Sequence, residues 1–423
     1  MKRILLLSAI IVQTLLLIKD VHAQSFPIQT EYKENTLHFK NEERKFDLGV
    51  NNFYFLDLGG FVPSYDKSSF SYNGESLDRI GVDNFYGLLT NLTGNIGDKW
   101  SFLFMLTYDN GRVGYQSLQV DYHINDEWFL RAGNMKIPTT MNRNYGLASL
   151  MNHGVPMGLS LSSPRRLGVG LYNTAERHTF AAGLYTKGVM EAINEGFHGR
   201  PDLSLASRVT FNPIHEEHTK LMLGLNMEGI KMGEEAHTRI LRAGMGATLN
   251  PISFIGLRLE DVNTQLNTGV ELAFQYHRFL MTGEFMHSSF HLSKSDETPR
   301  FNGWDLMASY ILMGKPRGYS RVAGDFSGSP RVLDKGALEA GVQFSLLDLN
   351  YKYDELEQYR GGIGTTYTAF LTYWYSAHIA LSLQGTYVDH GRCATGLGSV
   401  QSINDDFAGV DLFFTQLRMA FTF

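Results

Sequence analysis

One cysteine, Cys393, stands in a chain of 423 residues. It cannot form an internal disulfide, so a small secreted domain stapled by bridges is excluded, and Cys393 reads as an incidental loop thiol. Proline is scarce, 11 residues against 43 glycines. Beyond the N-terminal segment no run is apolar for the roughly 20 residues that a helix needs to cross a bilayer. A basic surplus is missing too: the net charge is −6, which offers nucleic acid no electrostatic footprint. One stretch lacks acids altogether. Between Glu127 and Glu176 there is no Asp or Glu, yet Arg131, Lys136, Arg143, Arg165 and Arg166 all fall there.

What is present begins with Lys2 and Arg3, an apolar run from Ile4 to Ile18, and Val21-His22-Ala23. That order reads as a secretory signal over residues 1–23, cleaved before Gln24, and the run is too short for a membrane helix. Residues 24–45 are polar and read as a periplasmic lead-in with one short strand at Thr36–Lys40. Residues 46–423 form the main domain. An exported chain without a helical span is periplasmic, secreted or a β-barrel.

Aromatics are plentiful, with 28 Phe and 21 Tyr, and together with the glycines they suit long strands with tight ends. From Phe46 onward, side chains alternate with period two, which places successive residues on opposite faces of a sheet. At the end of the chain, Phe413, Thr415, Leu417, Met419 and Phe421 share one face, while Gln416, Arg418, Ala420 and Thr422 share the other. One face suits lipid and the other water. The same alternation runs through 117–123, 270–276, 338–346, 366–375 and 379–387. Short polar turns (Gly97-Asp98-Lys99, Asn125-Asp126, Asn212-Pro213, Asn250-Pro251) and long Gly-rich stretches (190–202, 314–336, 390–410) join the segments. The pattern predicts an all-β, transmembrane antiparallel barrel of sixteen strands, eighteen being the alternative, with short turns on one rim and long loops on the other. A soluble sandwich or propeller also alternates. Against it stand the lack of blade-type repeats and an alternating strand that runs to Phe423.

A barrel that passes solutes needs a polar wall and a constriction whose charge decides entry. The inward set predicted by alternation includes Asp121, Arg208, Arg258, Glu284, Glu339 and Arg418, along with Glu228, Glu260 and Glu271. Both signs occur, so the wall selects weakly. The acid-free block is different: Arg131, Lys136, Arg143, Arg165 and Arg166 flank or occupy a loop from Ile137 to Ser163 bounded by Pro138 and Pro164. Placed at a constriction, these residues select anions, and arginine's planar fork suits oxyanions. Arg165 and Arg166 are adjacent, so on a strand only one would line the bore. The plainer reading puts the basic residues at the membrane surface, against lipopolysaccharide phosphates or water.

Other candidates read blandly. Asp121 with His123, and Asp389 with His390, are Asp–His pairs of the kind that activates a nucleophile. Polar lumen or rim positions explain them, and the chain is not expected to be an enzyme. His215 and His218 around Glu216 and Glu217 read as a charged turn rather than metal ligands. Gly361-Gly362-Ile363-Gly364 has no helix after it, so it is not a phosphate cradle. No cofactor and no metal are expected. Trp100, Trp128 and Trp374 read as interface anchors. Aromatics lining a sugar path support the alternative of a general or saccharide-type nutrient porin, and a barrel without a pore is the remaining class.

Arg131-Ala132-Gly133-Asn134-Met135-Lys136-Ile137-Pro138 resembles the strand end that opens the internal loop in the phosphate-selective porins of Gram-negative outer membranes. Ser162-Ser163-Pro164-Arg165-Arg166-Leu167-Gly168-Val169 is similar to the segment where that loop ends. Further on, Ala308 to Lys315, Gly336-Ala337-Leu338-Glu339, Ala369 to Tyr375 and the Arg-containing last strand match the family in order. Two departures stand out: Thr139-Thr140-Met141-Asn142 lacks the family's acid, and Met313-Gly314-Lys315 replaces a Thr-Gly-Glu. The resemblance implies a 16-stranded diffusion channel assembled as a trimer, an inward-folded third loop and small anionic or polar solutes. It also implies outer-membrane lipid and lipopolysaccharide around the chain, and Phe423 as the signal read by the barrel assembly machinery.

Overall fold

The structure is a computed structural model. It describes residues 28–423 apart from 34, 44, 64–70, 73–74, 77–79, 84–86, 110, 145–155, 190–200, 234–237, 245–252, 254, 327–331, 333–334, 353–358 and 392–410. The expected signal segment and Cys393 lie outside the described residues.

Among the described residues, sixteen antiparallel strands close into a barrel. They are β1 (Phe46–Pro63), β2 (Leu88–Ile96), β3 (Trp100–Asp109), β4 (Arg112–His123), β5 (Trp128–Met135), β6 (Arg166–Thr174), β7 (His178–Tyr185) and β8 (Leu203–His215). The ring continues with β9 (Thr219–Lys231), β10 (Val262–Tyr276), β11 (Phe279–Leu292), β12 (Arg300–Met313), β13 (Ala337–Tyr351), β14 (Tyr359–Trp374), β15 (Ile379–His390) and β16 (Leu412–Thr422). Closure comes from β16 pairing with β1, from Leu412 opposite Pro63 to Thr422 opposite Phe53. Phe423 completes the seam: its N–H donates to Asn52 O and its carbonyl accepts from Asn52 N. A closed ring satisfies every strand through its neighbours, which is what a bilayer demands of a sheet.

The alternation is visible strand by strand. On β8, Leu205, Val209 and Phe211 point outward at 43–52% exposure, while Ser204, Ala206, Arg208 and Thr210 point inward and are buried. The 117–123, 270–276, 338–346, 366–375, 379–387 and last-strand segments all lie on barrel strands with the expected faces. Trp374 departs from its expected place at the interface: it faces inward, is buried, and packs against the Arg317 guanidinium.

The rims are less simple than the sequence suggests. Turns 97–99, 124–127, 175–177, 216–218, 277–278 and 375–378 share a rim with the chain end, and most long connections leave the other. Segment 314–336, expected among those long loops, instead belongs to the short-turn rim, because β12 runs back toward it with Tyr310 opposite Phe279. It does not hang free there. Gln275 Nε2 donates to Arg317 O, Arg208 donates to the carbonyls of Ala323 and Gly324, and Phe326 packs with Met141, Met222, Met307 and Phe370. Its described residues 314–326 therefore fold into the bore. Asn212-Pro213 is not a turn either: it forms a bulge near the end of β8, where a proline is tolerated.

Strands Gln29–Lys33 and Thr36–Asn41 form a hairpin whose second strand pairs with the first residues of β1, beyond the end of β16. It extends the wall on the short-turn rim, where Tyr32 stacks on His378.

Inside, a large apolar cluster departs from a simple oil-out, water-in scheme. A second hairpin, Arg239–Ala243 with Ile255–Leu259, and the turn Met157–Leu161 pack against inward Ile230, Phe290, Phe301, Leu347 and Phe414. Loops cover these inward positions, so the wall beneath them is apolar.

Candidate functional site: the constriction loop

The described residues of the connection from β5 to β6, 136–144 and 156–165, lie in the bore. Ile137, Pro138, Thr139 and Thr140 lie buried at its start, followed by one helical turn, Met141–Asn144. Thr140 starts that turn by accepting the Arg143 N–H on its hydroxyl at 2.8 Å, a side-chain cap of the usual kind. The far limb reaches the opposite wall: Met157 N donates to Ser345 Oγ on β13 at 3.0 Å, and Gly158 lies against Gly303 on β12. Glycine is required at 303, since a Cβ there would come within 2.7 Å of the Gly158 Cα. The third loop is thus inward-folded, as expected.

The five basic residues take different places. Arg131 on β5 forms a bidentate pair with Asp121 on β4, Nε to Oδ1 at 2.8 Å and Nη2 to Oδ2 at 2.7 Å. Its guanidinium lies 5.1 and 4.9 Å from the Phe129 and Tyr172 ring centres. Arg143 turns back within the loop to Leu159 O and to Ser162 Oγ and O, tying the two limbs together. Arg165, still in the loop, donates to Ser117 Oγ and Gln116 Oε1 on β4. Arg166 opens β6, is buried, and sits 3.5 Å from Glu228 Oε1. The two adjacent arginines escape the strand rule because one of them precedes the strand. Lys136 begins the loop, and burial first, then the nearby Arg165 and Arg143 charges, push its ammonium down to about 7, against the opposite pull of Asp325. Burial is the larger cause, and the two guanidinium charges put Lys136 within electrostatic reach of both Arg165 and Arg143.

The predicted wall residues are mostly inward and paired. Arg208 meets Glu271 through Nη2 and Oε2 at 2.7 Å. Arg418 faces Asp57 directly across the seam in a bidentate pair, both bonds 2.7 Å. Glu339 accepts from Arg317 at 2.5 Å, and Glu284 accepts from the third loop. Arg258 is a correction: it lies exposed on the inner hairpin beside Glu260, not on the wall. An apolar Ile255, Leu257, Leu259 alternation reads alike on a wall strand and on a hairpin packed inside it. Sequence reasoning missed Asp57, Asp305 and Arg317. A lone acid in Phe53-Tyr54-Phe55-Leu56-Asp57 was the available signal for the first.

The Asp–His candidates do not assemble. Asp121 serves Arg131, while His123 Nε2 lies 2.9 Å from Ser101 Oγ. Asp389 faces out and His390 in. His215 meets Tyr319, and His218 stacks on His277. Among the described residues no group of three His, Cys, Asp or Glu could hold a metal.

A family model described as phosphate-selective porin O and P matches residues 71–393. The chain belongs to that family. It is an outer-membrane porin. No curated protein matches its sequence. Among solved structures, OprB of Pseudomonas putida is similar with a TM-score of 0.54 at 8% identity, covering 90% of this chain and 95% of that one. An anion-selective porin from Comamonas acidovorans gives 0.51 at 12%, covering 89% and 100%. OmpT of Vibrio cholerae gives 0.51 at 11%, covering 90% and 98%. These likenesses are of fold.

Proposed function

We propose that this porin is an anion-preferring diffusion channel whose narrowest part is the third loop, with Lys136, Arg143 and Arg165 facing the solute. The observation that carries the reading is placement: Lys136 and Arg143 come from the first limb of the inward-folded loop and Arg165 from the returning one. Clustered positive charge in a narrow, low-dielectric passage raises the local concentration of anions. Guanidinium forks favour oxyanions such as phosphate, sulfate or carboxylates. Arg131 and Arg166 have a supporting role, each fixed by a wall carboxylate. A saccharide channel is the weaker reading, because Phe129 and Tyr172 stack on each other and cover Arg131 rather than standing open to a sugar.

We further infer a homotrimer. β5 and β7 have 8 residues and β2 and β6 have 9, at or below the about 9–11 that a tilted strand needs to span; the low wall they form suits contact with further copies. Lipid and lipopolysaccharide would surround the rest, and Phe423 would serve barrel assembly. The test is recording from the purified protein in a planar bilayer under a KCl gradient. A reversal potential on the chloride side supports the reading, and a cation-selective value contradicts it. A heat-modifiable trimer on a detergent gel is expected, and a monomer in mild detergent would contradict the assembly.

A further inference from the structure

Glu284 on β11 stands in the middle of a row of acids. Glu271 on β10 is directly opposite it on one side, and Asp305 on β12 on the other. All three are buried and face the bore. Their engagements differ. Glu271 is held by Arg208 from β8. Glu284 gives both oxygens to the third loop: Oε1 accepts the Met141 N–H and Oε2 the Asn142 N–H, each at 3.2 Å. Asp305 accepts from Asn142 Nδ2 at 3.3 Å and from Gln343 Nε2 at 2.7 Å.

The first amides of a helical turn have no partner within it and must find one elsewhere. Here the far wall supplies it, and it does so with an ionisable group. A carboxylate accepts such bonds about twice as strongly as a neutral oxygen. Protonation removes an acceptor site and sets an O–H against an N–H. The same turn carries Arg143, which ties the returning limb through Ser162 and Leu159. Where Glu284 and Asp305 hold the turn therefore decides where both limbs stand.

We propose that Glu284 and Asp305 are the positioning residues of the constriction: as anions they anchor the Met141–Asn144 turn across the bore, and acid releases it. The charged groups facing this latch are Glu271 from β10, Arg208 from β8 behind it, and Arg143 on the turn itself. The proposal rests on the third loop being the narrowest part of the channel.

The experiment is single-channel recording of the full-length protein in symmetric KCl, from about pH 9 to about 4, a span that covers buried as well as exposed carboxylates. The native channel is expected to change conductance reversibly on acidification. Glu284→Gln is expected to show at alkaline pH a conductance near the one that the native channel reaches in acid, with a smaller pH response. Glu284→Asp, which keeps the charge, restores the pH response. A flat native profile, or a Glu284→Gln channel indistinguishable from the native one, overturns the proposal. If Glu284→Gln does not assemble, Asn142→Ala decides: it cuts the Asp305 link and leaves the wall intact. Its alkaline conductance shifts toward the acid value if the latch exists, and stays put if it does not. Reversal potentials from the same channels report the basic cluster separately, so either idea can fail without the other.

Discussion

The two ends of the constriction loop stand in opposite chemical surroundings. Where it leaves β5 and enters β6, the groups are cationic, Lys136 and Arg165, and the wall is low, its strands 8 or 9 residues long. Where it touches β11 to β13, the wall offers Glu284 and Asp305, and the strands run to 14 or 15 residues. A cationic loop root and an acidic far wall give the loop a direction: it is drawn across the bore to meet its acceptors. On the proposed reading, the low side is where positive charge faces the solute path. Position and charge are thus set by different residues, and they can be perturbed separately.

The largest disturbance is expected on the acidic side. Arg208→Ala leaves Glu271 buried beside Glu284 and Asp305 and also frees the Ala323 and Gly324 carbonyls; breaking a buried pair in this way destabilises by about 3–5 kcal/mol. Urea unfolding of the barrel in detergent measures it, and a loss under about 1 kcal/mol would mean that water screens the row. A middle effect is expected where the loop touches the far wall. Gly303→Ala sets a Cβ at 2.7 Å from the Gly158 Cα, an overpacking that costs about 1–3 kcal/mol and moves the loop, so conductance changes along with stability; an unchanged conductance would place the loop's narrowing elsewhere. The smallest effect belongs to the cationic side and to pH. Lys136 carries its charge below about 7 and loses it above, so anion preference should weaken, without vanishing, as pH rises through neutrality. Reversal potentials across that range check the sign, and a preference that grows with pH would contradict it.

The barrel was legible because period two is enforced at every step: outward Leu205, Val209 and Phe211 meet lipid, and inward Ser204, Arg208 and Thr210 do not. The basic block was legible as a block, since its missing acids are a matter of composition. What could not be read was who meets whom. Asp121 and Arg131 both stand out in the sequence, yet their pairing depends on the β4–β5 register, which places them opposite each other. The same register ties Arg131 to a wall carboxylate. Segment 314–336 was misassigned to the long-loop rim because length and glycine content do not reveal a rim; the number of strands before it does. Arg258 was misread because an inner hairpin alternates as a wall strand does.

The central claim is that clustered positive charge on the third loop chooses the ion. Replacing Lys136 and Arg165 together by Glu and recording the reversal potential in a KCl gradient at neutral pH tests it most directly. The potential is expected to move from the chloride side toward or past the potassium side. A reversal potential equal to that of the native channel would contradict it.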